Sequence, residues 1–122
     1  MADVLVVDDD ETICRTLARL LRASGLPSQC IPSGEEVLRY LAGDVPPKLV
    51  LLDVMMPGIG GLAVLKAIRD EPRLSTLPVV MYSAISDASV QEEALRLGAH
   101  GYIVKGRLEW PQLYEQIQQY LQ

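Results

Sequence analysis

The sequence predicts a doubly wound α/β domain: a five-stranded parallel sheet with helices on both faces. Two observations carry this. Five short apolar runs each lead into a segment with helical periodicity, and parallel strands joined through helices need right-handed crossovers of about that length. The run Leu49–Leu52 is apolar throughout and does not alternate, as expected of a strand buried on both faces. At 122 residues the chain reads as one domain, 1–122, large enough to bury a core without staples. It contains no internal linker or repeat, and only the Gln-rich end (Gln116, Gln118, Gln119, Gln122) hints at a boundary.

Val4–Val7 is the first strand, and it runs directly into Asp8, Asp9, Asp10 and Glu11. Ile13, Leu17, Leu20 and Leu21 follow at i, i+4, i+7 and i+8, a helical stripe stopped by Gly25 and Pro27. One or two acids would complement that helix's dipole, whereas three in a row repel one another. Ser28–Ile31 is a weak second strand. Ser33-Gly34-Glu35-Glu36 has capping-box spacing ahead of Val37, Leu38 and Leu41, so a second helix runs to about Ala42. A turn at 43–47 precedes the third strand, which delivers Asp53 into Met55-Met56-Pro57-Gly58-Ile59-Gly60-Gly61. Pro57 fixes φ, and the glycines allow backbone closed to other residues, so a shaped loop follows Asp53. Taken alone, Asp53 reads equally well as a cap for the next helix. Leu62, Leu65 and Ile68 give a third helical face closed by Pro72. Leu77–Tyr82 is the fourth strand, delivering Ser83 and Ala84. Ser86 and Asp87 can cap a fourth helix bearing Val90, Ala94 and Leu97. Gly101–Val104 delivers Lys105, and Pro111 opens a last helix with Leu113, Ile117, Tyr120 and Leu121 on one face.

Composition excludes several functions. Net charge is −5, from 11 basic and 16 acidic side chains, and the basic residues are scattered. Direct nucleic-acid binding needs concentrated positive charge and is not expected. No apolar run approaches the roughly 20 residues of a membrane-spanning helix, and Asp3 stands where a signal peptide would want positive charge. Cys14 and Cys30 are too few for a disulfide framework and form no Cys-x-x-Cys pair. They read as small apolar residues of a cytoplasmic protein.

In an open parallel sheet every carboxyl end faces the same crevice, where ligands bind. The fold therefore gathers Asp8, Asp9, Asp53, Ser83 and Lys105 at one mouth. Carboxylates so crowded raise one another's pKa unless a cation sits among them, and Lys105 supplies one charge. An oxygen-only donor set suits Mg²⁺, while zinc would want Cys or His. An aspartate beside Mg²⁺ can attack phosphorus to give an aspartyl phosphate, with Lys105 offsetting charge and the Ser83 hydroxyl donating to a phosphoryl oxygen.

Val6-Val7-Asp8-Asp9, Leu52 to Gly58, Ser83-Ala84 and Gly101-Tyr102-Ile103-Val104-Lys105 resemble, in order and on the expected strand ends, the response-regulator receiver domain of two-component signalling. The resemblance implies a flavodoxin-like (βα)5 fold with strand order 2-1-3-4-5 and Asp53 as phosphoacceptor. It assigns Mg²⁺ to Asp9, Asp53 and the Met55 carbonyl, with Asp8 acting mainly through a metal-bound water; Asp10 and Glu11 match no site position. It implies a switch in which Ser83 moves toward the phosphoryl group and Tyr102 turns inward, altering the face made by the fourth helix, fifth strand and fifth helix. The implied partners are a sensor histidine kinase or histidine phosphotransfer protein and a downstream effector protein or domain. The same face is the candidate surface for a homodimer, and no membrane partner is expected. His100 reads as a surface residue.

The chain departs from the family after the lysine, where proline is usual and Gly106 stands, which implies a looser loop around Lys105. Met55 and Ile85 occupy the positions that govern water access to the phosphoryl group, and both are apolar, which implies slow self-dephosphorylation. Three alternative readings fit the residues less well. A haloacid-dehalogenase-like phosphatase would want an acid at Met55. A flavodoxin-like cofactor binder would want hydroxyls and glycines where Asp8–Asp10 stand. A pseudo-receiver would have lost one of the site residues, and all are present.

Overall fold

The computed structural model describes residues 2–43 and 45–122, so Asp44, within the expected 43–47 turn, lies outside it. Five strands, β1 (Val4–Val7), β2 (Ser28–Ile31), β3 (Leu49–Leu52), β4 (Val79–Ser83) and β5 (Gly101–Val104), alternate with five α-helices. The helices are α1 (Glu11–Ala23), α2 (Gly34–Leu41), α3 (Gly61–Asp70), α4 (Ala88–Arg96) and α5 (Trp110–Tyr120), with a short 3₁₀ turn at Pro72–Leu74. All strands are parallel, in the order β2-β1-β3-β4-β5. Val7 pairs with both Ile31 and Leu52, and Leu52 pairs with Met81, so neighbouring strands end level with one another. That register brings the expected residues to one mouth.

Strand side chains alternate between two cores. Leu5, Val7, Val50, Leu52, Val79 and Met81 face α2, α3 and α4. Val4, Val6, Leu49, Leu51, Val80 and Ile103 face α1 and α5. The central strands are buried on both sides, which explains their unbroken apolar runs.

At the helix starts two expectations hold, those for Ser33 and Pro111. Asp10, which matches no site position, caps α1 by accepting from the Thr12 and Ile13 N–H groups. Ser33 caps α2 through the Glu36 N–H, and Pro111 lies in the first turn of α5.

Others are corrected. The face that α1 buries is Cys14, Leu17, Ala18 and Leu21. Ile13 and Leu20, expected in the stripe, are each 37% exposed. The helix is rotated so that small Cys14 and Ala18 lie against the sheet, and Ile13 and Leu20 instead flank an apolar cleft beside Tyr82 and Trp110. Asp87 stands at the N-cap position of α4, but its side chain makes no capping bond. Cys14 and Cys30, read as unconnected, are joined by a disulfide between α1 and β2 with Cα atoms 5.4 Å apart. Sequence spacing did not reveal it because the contact depends on the rotation of α1 and on β2 lying next to β1.

Candidate functional site

Asp8 and Asp53 follow β1 and β3 directly, and both carboxylates are buried, while Asp9 is exposed. Each buried carboxylate uses one oxygen locally: Asp8 Oδ1 accepts the Asp10 N–H at 2.9 Å, and Asp53 Oδ1 accepts the Val54 N–H at 2.8 Å. The other oxygens face Lys105, whose Nζ lies 2.5 Å from Asp8 Oδ2 and 3.1 Å from Asp53 Oδ2. Burial raises the Asp8 pKa, and the hydrogen bond from Lys105 offsets this only in part. Burial alone would lower the Lys105 pKa, but its bonds to Asp8 and Asp53 carry it above the ordinary lysine value. The ammonium is therefore fixed as a cation. Its stem passes the Tyr82 ring, with Nζ 5.7 Å from the centroid.

The loop after Asp53 is shaped by two different uses of glycine. Gly58 has φ +75°, which a side chain would disfavour. At Gly61 the reason is proximity: a Cβ there would collide with the Asp53 carbonyl oxygen, while the Gly61 N–H donates to Val54 at 2.8 Å. Gly60 has neither constraint, contrary to the expectation that all three glycines serve special backbone. Met55 is on this loop with its residue surface 67% exposed. The loop is also held by α2, where the Glu35 carboxylate accepts the Ile59 N–H.

Ser83 is buried at the end of β4, and its Oγ accepts the Ile85 N–H at 3.2 Å. The Tyr102 hydroxyl donates to the Ile85 carbonyl at 2.7 Å. Both expected switch residues therefore hold the same residue, at the root of α4. Gly106 adopts φ +82° in open space. Lys105 is nonetheless well positioned, because its own N–H closes the β4–β5 ladder on the Ser83 carbonyl at 2.9 Å. Gly106, where a looser loop is expected, follows that anchor in the chain.

Sequence reasoning missed Glu35, Tyr82 and the pairing of Ser83 with Tyr102 through Ile85. Each depends on which side chains meet across elements. His100, expected at the surface, is exposed, and its Nδ1 faces Arg69 Nη2 at 3.1 Å and accepts the Val79 N–H at 3.3 Å. Arg69 also donates through Nε to the Gly98 carbonyl at 2.9 Å, so one side chain gathers the end of α4.

One carboxylate oxygen each from Asp8, Asp9 and Asp53 lies within 4.8 Å of the others. Three carboxylates and one ammonium leave the mouth two negative charges, all on oxygen. That donor set fits a hard divalent cation such as Mg²⁺.

Residues 4–118 match the family model described as the response regulator receiver domain. The chain is 42% identical over 102 residues to the DNA-binding transcriptional regulator NtrC of Escherichia coli K12, covering 84% of this chain and 21% of that protein. It therefore spans about a fifth of that relative's length. Among solved structures it resembles a response regulator from Chloroflexus aurantiacus, with TM-score 0.88, 32% identity and coverage of 98% and 97% of the two chains. It also resembles TrrA from Thermotoga maritima in complex with Mg²⁺ and BeF, with TM-score 0.83, 30% identity and coverage of 99% and 100%.

Proposed function

The chain belongs to the response regulator receiver domains of two-component systems, and from that premise we propose that Asp53 accepts a phosphoryl group from a phosphohistidine. The donor would be a sensor histidine kinase or histidine phosphotransfer protein, and the domain acts as a signalling module that catalyses only its own phosphorylation and dephosphorylation. The observation that carries the reading is the Lys105 ammonium held against both Asp8 and Asp53 at the mouth of the sheet.

Asp53 Oδ2, the oxygen free of backbone bonds, is the nucleophile: its bond to phosphorus forms as the phosphorus–nitrogen bond to the donor imidazole breaks. Lys105 follows the charge onto the phosphoryl oxygens, and the Ser83 hydroxyl turns from Ile85 to donate to one of them. Asp9, Asp53 and the Met55 carbonyl would hold Mg²⁺, with Asp8 acting through water. Bound there, the ion would supply Lewis-acid stabilisation of phosphoryl charge. Loss of the Ser83 bond frees the Ile85 N–H, Tyr102 turns inward, and the root of α4 shifts. The α4-β5-α5 face then meets an effector protein or domain, or a second copy of the chain. No helix among the described residues is long and apolar enough to cross a membrane, and we place the module in the cytoplasm.

Incubation with acetyl phosphate and Mg²⁺ gives one phosphoryl adduct by intact mass, absent in Asp53→Asn and absent without the metal. An adduct that survives in Asp53→Asn would remove the acceptor assignment. Met55 and Ile85 leave no side chain to guide water to the phosphoryl group, so Ile85→Glu shortens the adduct's lifetime several-fold, read by the decay of the same mass peak.

A further inference from the structure

Cys14 and Cys30 play no part in the phosphoryl chemistry. Cys14 is fully buried in α1. Cys30 is half-buried on β2, an edge strand, beside an open groove shared with Gln29, Pro32, Glu36 and Tyr40. Their Cα separation of 5.4 Å lies within the range a disulfide requires. The reduced pair has a place as well. Cys14 Sγ is 3.1 Å from the Val6 carbonyl oxygen, so a thiol there would donate to it and leave no buried donor unsatisfied. Val6 is the register partner of Cys30, so the covalent and hydrogen-bonded partners of Cys14 sit opposite each other on neighbouring strands of one sheet. Helix α1 packs against both of those strands. A cysteine pair accommodated in both states is suited to cycling, and disulfides in reducing compartments are mostly of that kind.

We propose that Cys14–Cys30 is a reversible thiol–disulfide site, entered through Cys30, that ties α1 to the edge of the sheet in response to small-molecule disulfides such as oxidised glutathione. The Cys30 thiolate attacks one sulfur of the small disulfide, forming a mixed disulfide and releasing one thiolate. Cys14 then attacks the Cys30 sulfur, closing the internal bond and releasing the second. The two protein thiols are oxidised by two electrons, the small disulfide is reduced to two thiols, and the two protons pass to the departing thiolates. The order follows from access, since Cys14 is closed to solvent and Cys30 opens on the groove. Closure constrains the unfolded chain across a separation of 16 residues.

The test uses the whole chain equilibrated with excess oxidised or reduced glutathione, then unfolded, alkylated and weighed intact. Alkylation is expected at neither sulfur in the oxidised sample and at both in the reduced one, interconvertibly. The oxidised form should melt about 5–10 °C higher. Cys14→Ser, with no resolving sulfur, should carry one glutathione, whereas folded Cys30→Ser should carry none. Two free thiols after oxidation would overturn the site, and a bond that survives reduced glutathione would make it a fixed staple. An adduct forming as readily on Cys30→Ser as on Cys14→Ser would overturn entry through Cys30. Should a serine variant fail to fold, the wild-type arms still decide reversibility. None of these readouts involves phosphorylation.

Discussion

Helices α1 and α4 are attached to the same sheet in very different ways. Helix α1 is capped by the Asp10 side chain, buries Cys14, Leu17, Ala18 and Leu21, and is linked covalently to β2. Helix α4 has no side-chain cap and buries only Ala94. Its two ends also differ: the root at Ile85 is held by single bonds to Ser83 and Tyr102, whereas the far end is gathered by Arg69 through Gly98 and His100. The contrast teaches that rigidity is concentrated beside Asp8 and Asp9, where the proposed metal site would need it, and is withheld from the helix proposed to carry the output. A helix anchored at one end and lightly pinned at the other can pivot at small cost.

Matched truncations test this most directly. Leu17→Ala in α1 should lower stability by about 2–4 kcal/mol, because the site is closed and cannot collapse fully. Leu95→Ala in α4, where the leucine is 51% exposed, should change it by less than about 0.5 kcal/mol. Urea unfolding of both reads the difference, and equal losses would break the comparison. The caps give a smaller effect: Asp10→Ala should cost about 1 kcal/mol, and Asp87→Ala less than about 0.5 kcal/mol. Amide exchange confined to α1 in the first variant would sharpen the assignment.

The smallest effect concerns the anchored end. Burial, and then the charge of Arg69, lowers the His100 pKa from its ordinary 6.5. The unfolded chain then binds the proton more readily than the folded one. Stability is complete above about pH 6.5 and declines as pH falls through the lowered folded value. Protonation at Nδ1 would also cost Arg69 and the Val79 N–H their acceptor. His100→Gln should flatten the fall of unfolding free energy below about pH 6.5, and an unchanged slope would show that His100 does not couple to folding.

Much of this was legible in the chain. The strand ends announced Asp8, Asp53, Ser83 and Lys105, because a carboxylate or lysine closing an apolar run is a local pattern, and a parallel sheet turns local patterns into one site. The cap at Ser33 and the start of α5 near Pro111 were local too. What escaped depends on rotation about a helix axis or on a chance meeting of distant elements. Ile13 and Leu20 satisfied the helical period as well as Cys14 and Ala18 did, and only packing chose between them. The disulfide, the Arg69–His100 contact and the shared hold on Ile85 each join residues whose spacing carries no signal. The Gly106 departure concerns the backbone after Lys105, while the anchor of that lysine comes from its own N–H.

Gly61 has a consequence for anyone mapping this protein genetically. It contributes no functional group, yet any side chain there would press on the carbonyl of Asp53, the proposed phosphoacceptor. A random-mutation screen scored on signalling output would count it among the reactive residues. A chemist labelling carboxylates, hydroxyls and amines would never find it.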